Sequence, residues 1–181
     1  MDLYEVKMGQ HGWEKSLKMM GWLGSAIALG AWWGGVAIGQ TPAQSNHRLD
    51  AQTQAAMIAA IEDEYHAHAF YTAVIEKYGD VRPFTNIVQA EERHAARLQA
   101  LFEQYGLPVP PDTFAGTVVA PQSVAAACAL GIEAEIANVQ LYDEFLTWVS
   151  EPELRDLFSQ FRRVSSEKHQ RAFDRCQQRL R

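Results

Sequence analysis

Residues 84–105, Phe84-Thr85-Asn86-Ile87-Val88-Gln89-Ala90-Glu91-Glu92-Arg93-His94-Ala95-Ala96-Arg97-Leu98-Gln99-Ala100-Leu101-Phe102-Glu103-Gln104-Tyr105, decide how the rest of the chain is read. Alternating steps of three and four through them give Phe84, Ile87, Glu91, His94, Leu98, Leu101 and Tyr105, one line along a helix. The line is apolar at both ends and polar in the middle. A carboxylate left unpaired inside a helical core costs several kcal/mol or takes up a proton. Glu91 and His94 therefore need either water or partners from other helices.

The same steps elsewhere find such partners. One line reads Met57, Ile61, Glu64, His68, Tyr71, Ile75, Tyr78. Another reads Val124, Cys128, Gly131, Glu135, Asn138, Tyr142, Phe145, Val149, and the last reads Leu154, Phe158, Phe161, Ser165, His169, Ala172, Cys176. Turn residues at Gly79-Asp80, Gly106 to Pro111 and Ser150-Glu151-Pro152 separate them, and strand alternation is absent. The reading is all-α, with helices over roughly 51–78, 83–105, 123–149 and 151–178; Ser150 and Glu153 form a capping box, with Pro152 in the first turn.

Each polar pair alone has an ordinary explanation. Glu64 with His68 suits a surface i, i+4 pair worth about 0.3 kcal/mol; Glu91 with His94 can be solvated, and Glu135 with Asn138 can fix register. Together, three glutamates at one level of a core call for a shared counter-charge, which a metal ion supplies most simply. Antiparallel hairpins place His68 level with His94, and offset Glu135 from His169 by about 4.5 Å at 1.5 Å per residue. The 17 residues from Gly106 to Gln122 can cross the height of a bundle at about 3.3 Å per extended residue, so one long crossover would set the third helix parallel to the second. Cys128 lies seven residues before Glu135 and Cys176 seven after His169. The two are level, and either form a disulfide between the third and fourth helices or stay as separate buried thiols.

The 181-residue chain carries a net charge of −6 and 48% hydrophobic residues, which excludes disorder and gives no basic surface for nucleic acid. Its 2 cysteines exclude a cysteine-rich zinc site. From Met19 to Gly39 no residue is charged, and Lys15 and Lys18 precede the run. It reads as a cleaved signal or as an uncleaved anchor helix crossing a membrane. Positive charge stays on the cytoplasmic side in both readings, so the chain beyond the run is extracytoplasmic, periplasmic or in the cell envelope. The expected division is 1–44, a tail, signal or anchor and linker, and 45–181, the four-helix bundle.

Asp63-Glu64 through Phe70-Tyr71, Pro83-Phe84 with Asn86-Ile87, Ala90-Glu91-Glu92-Arg93-His94, Gly131 through Glu135, Ser166-Glu167-Lys168-His169 and Arg171-Ala172-Phe173 together resemble the ferritin-like superfamily, nearest to an uncharacterised group of ferritin-like domains. Dinuclear carboxylate members take one Glu from each of two helices and Glu-x-x-His from each of the other two. Carried over, Glu64, Glu91, His94, Glu135 and His169 stand at ligand positions. Ser166 replaces the second motif's Glu; His68 is a substitute, whereas Glu133 and Glu167 lie off the line. The resemblance implies one or two ions of iron or manganese, with zinc an alternative, and an oxidase, ferroxidase or peroxide-reducing activity toward oxygen or peroxide. Tyr65, Tyr71 and Tyr142 are then proton or electron donors, or else ordinary core aromatics. A metal store without turnover, a bundle whose polar layer only sets register, and a homo-oligomer of either kind remain open.

Overall fold

The structure, a computed structural model, describes residues 49–180; the apolar run 19–39 and the boundary at residue 44 lie outside the described residues. Four helical rods make up the described chain. They are α1 (Ala51–Tyr78), α2 (Phe84–Gln104), α3 (Val124–Phe145), and a fourth made of α4 (Pro152–Val164), a π-helical turn (Ser165–His169) and α5 (Gln170–Arg179). There is no strand among the described residues.

Local chemistry sets the helix ends. Asp50 caps α1 by accepting from the Thr53 amide at 2.8 Å, and Gly79 closes it at φ 80°, where its N–H reaches the carbonyl of Ile75. Ser123 caps α3 through the Ala126 amide. The capping box expected from Ser150 and Glu153 does not form. The N-cap of α4 is Glu151, one residue later, and the Glu153 carboxylate instead accepts the Tyr105 hydroxyl from beyond the end of α2. Pro152 at the first helical position moves the start past Ser150, because its fixed φ already suits the helix.

Cross-bundle contacts give the chain directions. Tyr71 meets Glu135 while Glu64 meets Tyr142, so α1 and α3 are antiparallel. Glu64 meets His94 and Tyr71 meets Phe84, so α1 and α2 are antiparallel as well. Hence α2 and α3 run parallel. The connection between them travels beside α1: Pro110 accepts from Tyr65 near its start, Phe114 lies edge-on to His66, and Pro121 accepts from Lys77 and Tyr78 near its end. It is a crossover running much of the height of the bundle.

Two apolar masses fill the interior. One gathers Met57, Ile61, Leu98, Phe102, Phe145, Leu154, Phe158 and Phe161; the other gathers Tyr71, Val74, Phe84, Ile87, Cys128, Phe173 and Cys176. The buried polar residues Glu64, Glu91, His94, Glu135, Asn138, Ser165 and His169 come from the middle stretches of the rods. α3 is long and apolar enough by length and composition to cross a membrane, but in this structure it is a bundle helix with Glu135 and Asn138 buried on its inner face.

The fourth rod departs from regular spacing. Phe161, Ser165, His169 and Phe173 are all buried, three successive steps of four. In a regular α-helix these steps would drift about 120° around the axis. The π turn, in which the Gln170 N–H bonds to the Ser165 carbonyl five residues back, absorbs the drift. Phe173, and not Ala172, therefore takes the core position. Gly131 makes room for it: a Cβ there would lie 2.7 Å from Cδ1 of the Phe173 ring. Above this contact Cys128 and Cys176 form a disulfide with a Cα–Cα distance of 6.0 Å, so they are not separate thiols.

Candidate functional site

The three glutamates face inward. Glu64, Glu91 and Glu135 are 2%, 3% and 3% exposed, which removes the solvated explanation for Glu64 and Glu91. Glu91 lies between the two imidazoles: its Oε2 is 3.0 Å from Nδ1 of His94 and its Oε1 is 3.2 Å from Nδ1 of His169. The other carboxylates flank this row. Oε2 of Glu64 is 3.2 Å from His94 Nδ1, and Oε1 of Glu135 is 3.4 Å from His169 Nδ1. The two imidazoles lie nearly parallel with centroids 6.1 Å apart, and His94 stacks on Phe161.

Two tyrosines complete the layer with an exchange. Tyr71 follows Glu64 by seven residues, and Tyr142 follows Glu135 by seven. Each donates its hydroxyl to the other helix's glutamate: Tyr71 to Oε1 of Glu135 and Tyr142 to Oε1 of Glu64, both at 2.8 Å. The α1–α2 hairpin and the hairpin that begins with α3 thus contribute matching parts, apart from Ser166.

Burial and proximity set the protonation of the layer. Burial would raise Glu91, but the imidazoles of His169 and His94 beside it outweigh that and hold it down at about 2. Burial and the neighbouring Glu91 charge push Glu64 up to about 8, and burial raises Glu135 too. For His94 and His169 burial acts downward, yet the flanking carboxylates lift them to about 9 and about 10. Both tyrosines are driven well above their ordinary value, first by burial. In the metal-free layer these directions set Glu91, the carboxylate most readily ionised, between two imidazoles that hold their protons more tightly than usual. His169 is not fully satisfied by this: its Nδ1 is buried and makes no hydrogen bond, although two carboxylate oxygens lie near.

The structure brings together five of the six candidate residues. Glu64, Glu91 and His94 form one group, and Glu91, Glu135 and His169 a second, each offering donor atoms within 4.8 Å of one another; Glu91 is common to both. His68 belongs to neither. It is half-buried, as is Ala67 beside it. Ser166 is also half-buried and bonds to the Arg163 carbonyl at 3.3 Å, while Glu133 and Glu167 are exposed. The Tyr65 hydroxyl leaves the layer for the Pro110 carbonyl and accepts from Gln99.

One participant escapes the seam reading. Asp63 accepts from Nδ2 of Asn138, whose Oδ1 accepts the Ser165 hydroxyl at 2.7 Å. Burial lifts Asp63 to about 7, with the Glu135 and Glu91 charges adding to it. A single line along α1 passes through Glu64 and skips the residue before it. The available signal was adjacency: Asp63 lies about 100° around the helix from Glu64, and that turn brings it toward Asn138.

As a donor set, carboxylate oxygens and imidazole nitrogens with no thiolate suit iron, manganese or zinc, and the cysteines are consumed by their disulfide. No protein-family model and no curated protein matches the sequence. The fold is similar to the crystal structure of a hypothetical protein from Methanococcus jannaschii DSM 2661, with a TM-score of 0.66 and 18% identity over 80% of this chain and 87% of that one. At that identity the likeness speaks to the helical architecture alone.

Proposed function

We propose that this chain is an exported or membrane-anchored bundle of the ferritin-like type whose buried layer binds one or two ions of iron or manganese. The observation that carries the reading is Glu91, one carboxylate held between two imidazoles and flanked by Glu64 and Glu135 in an otherwise apolar interior. Glu64, Glu91 and His94 would hold one ion, and Glu91, Glu135 and His169 the other. The Nδ1 of His169 fits this reading: it is buried and makes no hydrogen bond, with Oε1 of Glu91 and Oε1 of Glu135 at 3.2 and 3.4 Å as the groups that would share an ion with it. Bound iron or manganese would supply one-electron chemistry toward oxygen or peroxide.

The chain's own part is to orient and to hold protons. Tyr142 and Tyr71 fix the outer glutamates, each keeping a proton at an Oε1 atom, and the aromatic packing of Phe161 on His94 excludes water from one side. The apolar run 19–39 behind Lys15 and Lys18, and the Cys128–Cys176 disulfide, both favour an oxidising extracytoplasmic setting.

A second reading, a metal-binding module without turnover, is favoured by Ser166, which leaves the layer one carboxylate short of the ferritin-like pattern. Elemental analysis of the full-length chain from its native compartment tests binding; oxygen and peroxide consumption after iron loading, against Glu91→Ala, separates the two readings. Stoichiometric iron with no consumption above the variant favours the store, and absence of transition metal removes both.

A further inference from the structure

We infer that Asn138 and Ser165 are positioning residues that hold the π turn open so that His169 points at Glu91; the inference rests on the metal-binding reading above. Ser165 is the first residue of the π turn and His169 the last. The Ser165 side chain donates to Asn138 Oδ1 at 2.7 Å, and Asn138 Nδ2 donates to Asp63, so the turn is tied to α3 and through it to α1. Ser165, Asn138 and His169 are 4%, 7% and 6% exposed, and water does not compete strongly for these bonds.

The direction of each bond matters. An amide has one acceptor and one donor end. Asp63 takes the donor end, which leaves the carbonyl oxygen facing Ser165. A π turn adds a residue to one helical turn and is ordinarily unstable against the α-helix, so it needs an external tie. Without the Ser165 tie the start of the turn can shift against α3 while Phe173 and the Cys128–Cys176 disulfide hold the rod beyond it, and His169, between the two, loses its aim at Glu91. The other histidine lacks this dependence. His94 sits in the uninterrupted α2 and is packed against Phe161.

The test is a double-mutant cycle read by Mn(II) affinity of the full-length chain in mild detergent, with the unfolding midpoint of the metal-free protein measured alongside. Ser165→Ala and Asn138→Ala are expected to weaken Mn(II) binding about 10- to 100-fold, the range for partners that orient ligands. The pair Ser165→Ala with His169→Ala should be no weaker than His169→Ala alone, because the serine acts through that ring. Asp63→Asn, which keeps an acceptor for Asn138, should bind better than Asp63→Ala. Full additivity of Ser165→Ala with His169→Ala, or wild-type affinity in Ser165→Ala whatever its unfolding midpoint, overturns the inference. Absence of Mn(II) binding by the wild-type chain overturns the metal-binding reading instead, and the inference with it.

Discussion

Tyr71 and Glu135 meet across the bundle, the hydroxyl of one donating to Oε1 of the other at 2.8 Å with both side chains buried. The bond joins α1 to α3 at the level where the core is polar, and its counterpart between Tyr142 and Glu64 does the same from the opposite side. Replacing Tyr71 with Phe leaves a buried carboxyl oxygen short of a donor, which costs about 1–3 kcal/mol. The urea midpoint of Tyr71→Phe should fall accordingly, and Tyr142→Phe should behave alike. An unchanged midpoint in both would mean that these bonds are not part of what holds the layer together.

The metal-free protein should lose stability as pH rises. His94 and His169 titrate at about 9 and about 10 when folded against an ordinary 6.5, so their contribution is complete below 6.5 and disappears through 9 and 10. Glu64 and Asp63, raised to about 8 and about 7 from 4.5 and 3.8, act in the same direction, because the folded chain keeps protons that the unfolded chain releases. Glu91, lowered to about 2, opposes them only below pH 4.5. Unfolding free energy measured at pH 5.5, 7 and 8.5 should drop by on the order of 1 kcal/mol per unit or more. Saturating Mn(II) should reverse the slope, since ligands must shed protons to bind. A rising slope without metal would contradict the account.

The disulfide closes a loop with a sequence separation of 48 residues. Chain-entropy arithmetic for that length gives about 4 kcal/mol. Thiol titration of the unfolded, unreduced protein should find no free thiol, and the Cys128→Ala, Cys176→Ala double variant should unfold at clearly lower urea. Two free thiols per chain would remove the tie between α3 and α5.

Gly131 has no room for a methyl group beside Phe173. Gly131→Ala should destabilise by about 1–3 kcal/mol, the usual range for overpacking. Adding Phe173→Leu should recover part of that loss, and a variant as stable as the parent would show the contact to be loose.

The helices and their inner lines were legible in the sequence because period and polarity agreed. Cys128, Gly131, Glu135, Asn138, Tyr142 and Phe145 are all buried on α3, as the steps of three and four require. On the fourth rod the line holds at Leu154, Phe158, Phe161, Ser165, His169 and Cys176, all buried, and misses at a single position. A π turn adds a residue without altering composition, so the count slipped and named Ala172 where Phe173 is buried. His68 falls on the α1 line because steps to 67 and 68 fit the period about equally; both are half-buried, between the buried Glu64 and Tyr71. Asp63 was missed because its partner, Asn138, is 75 residues away and no local pattern joins them.

The most direct measurement is an equilibrium titration of chelator-stripped, full-length protein with Mn(II), compared with Glu91→Gln under the same conditions and with helicity followed by circular dichroism. The account predicts saturation at one or two ions per chain in the wild type and loss of that binding in a variant that keeps its helical signal. Equal uptake by the two proteins, or none by the wild type, would contradict it.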